Sequence, residues 1–142
     1  MRRGFSLVEL AVTLAIAAVV AAVALPRLAG ILDLLAADAA AREVTTALAV
    51  TRHAAMTQSR RARLLIDGDS LSIDLWGASG WESYLRWPGP ADRGVALFAS
   101  NPEVVFGPTG IGWGASNTTV TLTRGSHIET VTTSRVGRVK RW

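Results

Sequence analysis

From Phe5 to Leu25 the chain is apolar except for Ser6, Glu9 and Thr13. At about 1.5 Å per residue this run makes a helix of roughly 30 Å, the thickness of a bilayer's hydrocarbon core. Such a segment either stays in a membrane or is removed as an export signal. Arg2 and Arg3 precede it with no acid beside them. Positive charge is retained in the cytoplasm, so the N-terminus is expected there and the residues beyond Pro26 on the far side. Glu9 interrupts the run. A carboxylate at the centre of a membrane helix costs about 2.5–3.5 kcal/mol, less near an interface, so an acid kept there needs a partner or a task.

Two ordinary readings compete. A secretory signal peptide would be cut near the A-x-A-like site Ala22-Val23-Ala24. Glu9 inside the apolar region and Pro26 just beyond it weigh against that. A plain single-pass anchor would leave Glu9 without a purpose. A third reading starts from Gly4-Phe5-Ser6-Leu7-Val8-Glu9, which follows a short basic leader. This stretch resembles the class III signal of type IV pilins and type II secretion pseudopilins. The resemblance implies that a prepilin peptidase cuts after Gly4 and N-methylates Phe5. It also implies that Glu9 pairs with the Phe5 amine of a neighbouring subunit during filament assembly. An ion pair there would satisfy two charges that lipid otherwise penalises.

Beyond Pro26 the helical pattern resumes. Pro inside a helix removes a backbone hydrogen bond and kinks it, so a bend is expected near Pro26. Ile31, Leu35 and Ala39 form one stripe that Val44, Leu48 and Ala55 continue, widened by Leu28, Leu32 and Leu34. Asp33, Asp38, Arg42, Glu43 and Arg52 supply a polar face. The expectation is one long helix from Phe5 to about Ser59, its second half laid on a sheet.

The period then changes. Residues 63–67 read as a strand, Asp67-Gly68-Asp69 as a turn, and residues 70–76 as a strictly alternating strand, together a hairpin. Residues 77–94, rich in Gly, Pro and Trp, read as a long loop. Residues 95–98 and 103–106 read as short strands, and the glycine-rich residues 107–114 as a flexible connection. Residues 118–123 and 128–132 read as strands about a turn, and 135–141 as a closing strand. Six or seven strands in meander order after one helix give α+β: a long N-terminal helix packed on antiparallel β-sheets. The expected organisation is a leader at 1–4, a transmembrane and assembly helix at 5–28, and a globular head at 29–142. In the head an amphipathic helix reaches about residue 60 and the remainder is β-rich.

This layout extends the resemblance to the GspH/FimT group of minor pilins and pseudopilins. It is carried by Thr51-Arg52-His53-Ala54-Ala55-Met56, Val105-Phe106-Gly107-Pro108-Thr109-Gly110 and Gly137-Arg138-Val139. The resemblance implies a bacterial inner-membrane protein with a periplasmic or extracytoplasmic head. Its partners would be other pilins or pseudopilins and the prepilin peptidase. It would be a structural subunit near the tip of a type II secretion or type IV pilus filament, supporting protein export.

No catalytic arrangement emerges. His53 falls in the helix and His127 in a turn, without H-x-x-x-H spacing for a metal, and G-x-S-x-G is absent. The chain has no Cys, so disulfides and thiolate metal sites are excluded. Asp67, Asp69 and Asp74 lack the full calcium-loop pattern and read as a solvated hairpin. Gly107, Gly110, Gly112 and Gly114 have neither the Lys nor the following helix of a phosphate loop. The sequon at Asn117 says little in a bacterial export setting. No cofactor or metal is expected.

Formal charge is +4, and loss of Arg2 and Arg3 lowers it by two, so placement matters more than net charge. Arg60-Arg61-Ala62-Arg63 is read as cations suited to a helix C-terminus. Trp76, Trp81, Trp87 and Trp113 are read as packing under the loops. At the C-terminus Arg135, Arg138, Lys140 and Arg141 occur without an acid, followed by Trp142. These four bases are the candidate nucleic-acid contacts. If the segment is a strand, Arg138 and Lys140 share a face. Gly137-Arg138-Val139-Lys140 looks like the Gly-Arg-x-Lys signature of FimT-type DNA-binding pilins, which implies an alternative function in DNA uptake for natural transformation. The competing explanation is an edge strand protected by charge.

Overall fold

The computed structural model describes residues 6–142. Helix α1 spans Leu7–Thr57 and continues unbroken through Pro26. The expected bounds, Phe5 to Ser59, are close; Phe5 itself lies outside the described residues. Eight strands follow: β1 (Ala62–Ile66), β2 (Ser70–Gly77), β3 (Gly80–Pro88), β4 (Ala96–Ala99), β5 (Glu103–Phe106), β6 (Thr118–Arg124), β7 (His127–Thr133) and β8 (Val139–Arg141). A single 3-10 turn, Pro90–Arg93, precedes β4.

The chain divides into two compact units between Leu32 and Asp33. The described part of the first, from Leu7 on, is helix alone. Its side chains are exposed and its apolar window has a mean hydropathy of 2.5, long enough to cross a membrane. The second unit is α+β. Here the second half of α1 packs on two antiparallel four-stranded sheets, ordered β3-β2-β1-β5 and β4-β6-β7-β8. The buried helix stripe runs Ala37, Ala40, Ala41, Val44, Ala47, Leu48, Thr51, Ala54 and Ala55. Alanine at most of these positions lets sheet side chains come close to the helix backbone. Leu64, Ile73 and Phe106 from the first sheet and Val120, Leu122 and Val131 from the second complete one core.

The buried stripe starts later than expected. Ile31, in the first unit, and Leu35, in the second, are both exposed. Spacing alone could not separate a stripe facing lipid from one facing a sheet.

The stretch 77–94 is not a loop. Gly77 and Gly80 flank a tight turn, and β3 pairs with β2 along most of its length, with one register shift between Ile73 and Asp74. Trp81, Tyr84 and Trp87 are strand formers, and Pro88 is tolerated because β3 is an edge.

The order is not a meander either. β4 joins the second sheet, β5 returns to the first beside β1, and β6 goes back beside β4. Residues 100–102 make the crossing, donating from Ser100 N to Thr119 O and accepting at Pro102 O from Ile66 N. His127 opens β7 rather than lying in a turn. The glycine-rich residues 107–114 are tied down: Gly107 N donates to Ile111 O, Gly110 N to Gly107 O, and Trp113 N to Val105 O.

Candidate functional site

Two segments carry the residues singled out by sequence. At the N-terminal one, Gly4 and Phe5 lie outside the described residues. Glu9 is exposed in the first turn of α1. Its Oε2 accepts from Ser6 N at 3.0 Å, and Ser6 Oγ accepts from Val8 N at 3.2 Å. This is a reciprocal cap of the S-x-x-E kind, which neutralises otherwise unpaired donors at a helix start. The pattern was present in the sequence as Ser6 and Glu9 three apart, but the membrane setting drew attention to the charge alone.

At the C-terminus the closing strand is shorter than expected. Ser134 to Gly137 form a turn, with Gly137 N donating to Ser134 O and Ser134 N to Arg138 O, and only residues 139–141 pair with β7. Gly137 has φ +74°, and a Cβ there would lie 3.1 Å from Gly110 O and 3.2 Å from Arg52 Nε. Glycine is required on both counts. The turn is thereby seated against α1.

The turn separates the four candidate bases. Arg141 bonds Glu129 of the neighbouring strand β7 at 3.0 Å and also Asp38 of α1. Glu129 first, then Asp38, raises the Arg141 guanidinium above its ordinary value. The same contact, with Arg42 second, lowers the Asp38 carboxyl. Arg141 is thus an ion-paired cation, with Nε on Glu129 and Nη2 on Asp38, unlike Arg138 and Lys140. Arg135 sits in the turn and reaches Gly114 O at 3.3 Å. Arg138 and Lys140 do share an exposed face, as alternation required. Together with Thr132, Thr133 and Ser134 they line a groove of about 300 Å³. Lys140 Nζ lies 3.3 Å from the Trp142 ring centroid, which keeps that cation over an exposed indole. The groove thus offers two exposed cations and the Ser134 hydroxyl, a donor set suited to an anion, while Thr132 Oγ1 donates to Lys140 O and Thr133 Oγ1 is buried.

Two other readings change. The basic run 60–63 does not end the helix: α1 stops at Thr57 with no base in its last turn, and Ala62 and Arg63 belong to β1. Trp76 and Trp113 do not pack beneath loops but stand 44% and 53% exposed. Asp74 is bound by Arg63 at 2.8 Å, apart from Asp67 and Asp69. Among the described residues no three His, Asp or Glu side chains gather as metal ligands.

Residues 1–25 match the prokaryotic N-terminal methylation motif. No curated protein sequence matches the chain. The fold is similar to that of the Pseudomonas aeruginosa type IV minor pilin FimU, with a TM-score of 0.61 at 19% identity over 72% of this chain and 85% of that one. It is likewise similar to the minor pseudopilin EpsH from the type 2 secretion system of Vibrio cholerae, with a TM-score of 0.62 at 15% identity over 75% and 95% of the two chains.

Proposed function

We propose that this type IV pilin-like chain is a minor pilin or pseudopilin, a non-enzymatic subunit of a pilus or secretion filament. The observation that carries the reading is the joining of two features in one chain. A methylation motif at residues 1–25 leads directly into a helix whose later half supports a minor-pilin head fold. In this reading residues 1–4 are removed, Phe5 is methylated, and residues 5–28 anchor the subunit in the inner membrane and pack with other subunits. Residues 29–142 form a head outside the cytoplasm, near the filament tip, in a machine that exports protein. Glu9 changes partner on assembly, leaving its own helix cap for the Phe5 amine of a neighbour. Intact mass of the membrane-extracted protein tests this. A chain beginning at methylated Phe5, dependent on a prepilin peptidase, is expected; a chain beginning at Leu25 overturns it.

One observation favours a second reading, DNA capture. Arg138 and Lys140 project together beside a hydroxyl-lined groove, and neither is paired with an acid among the described residues. Titration of the full-length protein with labelled DNA across salt tests it. Each lost phosphate contact lowers the log–log salt slope by about 0.7–0.9, so Arg138→Ala with Lys140→Ala should reduce it by about 1.4–1.8. Equal binding by the double variant, or none at low salt, removes DNA from the account.

A further inference from the structure

The outer face of the β3-β2-β1-β5 sheet carries a stack of side chains used by neither segment described above. Trp76 and Trp81 pair across β2 and β3, edge to face, with centroids 5.1 Å apart and planes at 81°. The Arg61 guanidinium carbon lies 4.2 Å from the Trp113 ring centroid and 5.8 Å from that of Trp76. Arg63 lies 4.6 Å over Trp81. Trp113 rests against the end of β5, where a Cβ on Gly107 would lie 3.5 Å from its ring.

The neighbouring cations are engaged. Arg63 bonds Asp74 at 2.8 Å and lies 3.8 Å from Glu103, and Arg60 lies 3.7 Å from Glu82. Arg61 has neither acid nor hydrogen-bond acceptor among the described residues. Its guanidinium lies within reach of two indoles, with its N–H donors unpaired among the described residues. A guanidinium so placed can donate the two parallel hydrogen bonds a carboxylate accepts.

The composition narrows the ligand. Arg61 lies over Trp113 and Arg63 over Trp81, each taking up one ring face on which a base or sugar could otherwise stack. Asp74, Glu82 and Glu103 stand among the arginines and would repel a polyanion, whereas a single carboxylate meets only Arg61. Exposed Trp76 and Trp113 place apolar surface beside Arg61. Trp and Arg at a partly desolvated centre are the residues that dominate protein–protein interfaces.

We infer that this Trp–Arg stack is a docking surface for a protein segment presenting one carboxylate between apolar side chains, with the carboxylate seated on Arg61. The inference does not depend on the filament reading. The test uses the full-length protein in nanodiscs, titrated with a capped Ser-Val-Glu-Val-Ser peptide and followed by tryptophan fluorescence. Saturable binding is expected, weakened about tenfold or more by Glu→Gln in the peptide and equally by Arg61→Gln, the energy of one charge-assisted bidentate contact. Arg61→Lys should fall between, keeping the charge but not the fork. A thermal unfolding midpoint for each variant separates loss of binding from loss of fold, and the peptide Glu→Gln comparison needs no variant at all. Absence of binding at millimolar peptide, equal binding of the Gln peptide, or unchanged binding by Arg61→Gln overturns the inference. Tighter binding of a single-stranded oligothymidine that is lost in Arg61→Gln but kept in Arg138→Ala with Lys140→Ala overturns it in favour of nucleic acid.

Discussion

Leu35 and Leu48 sit on one helix and look alike in sequence, yet their truncation should have opposite consequences. Leu48 is 1% exposed in the core, whereas Leu35 is 57% exposed. Leu48→Ala removes three apolar carbons, about 2.4 kcal/mol at about 0.8 kcal/mol per carbon. A residual cavity of roughly 50 Å³ adds about 1.2 kcal/mol at about 24 cal/mol per Å³. The sum, about 3–4 kcal/mol, is a large fraction of the stability of a domain this size. It corresponds to a drop in Tm of about 10–20 °C. Leu35→Ala should stay within about 0.5 kcal/mol. Every tryptophan lies beyond residue 75, so fluorescence-detected urea unfolding in detergent reports on the head without interference from the N-terminal helix. Equal destabilisation by the two variants would refute the assignment of the buried stripe to residues 37–55.

Other outcomes follow from the same geometry. Gly137→Ala forces a side chain into the left-handed region against Gly110 O, and should cost about 1–3 kcal/mol by the same unfolding assay. Asp38 has a folded pKa below its ordinary 3.8, chiefly through Arg141, so its stabilisation is present above that value and drains as pH falls through the folded pKa. Arg141→Gln should therefore flatten the loss of stability below about pH 4, seen as urea midpoints compared across the acid range. An acid limb as steep as the wild type's would contradict the pairing. Glu9→Gln keeps an acceptor for the helix cap but loses the charge. Cleavage after Gly4 should persist while recovery in sheared filaments falls; undiminished recovery would show that the charge has no part in assembly.

The long helix and the hairpin of β1 and β2 were legible because their periods are strong. Two kinds of feature were not. Composition misled at residues 77–94: glycines and prolines mark the turns around β3, while the aromatic residues between them pair as a strand. Partner choice was hidden as well. Alternation placed Arg138 and Lys140 on one face, yet nothing in the local sequence announces that Arg141 meets Asp38, a residue 103 positions away. The crossing of β4 and β5 between sheets is equally non-local. It depends on Ser100 and Pro102 bonding to different sheets, a fact the two short apolar runs do not encode. The Trp–Arg stack was visible only as separate entries in a basic run and a loop, because β1, β2 and the end of β5 must first align before the side chains meet.

Strand β8 pairs along β7 and ties the second sheet to α1 through an ion pair that spans 103 positions of sequence. Until residues 139–141 are available, β7 has an open edge and Asp38 lacks Arg141. Closure brings together residues far apart in sequence, so it carries a large loop-closure cost. Loss of residues 139–141 would remove the strand and its ion pair together and leave the β7 edge unpaired.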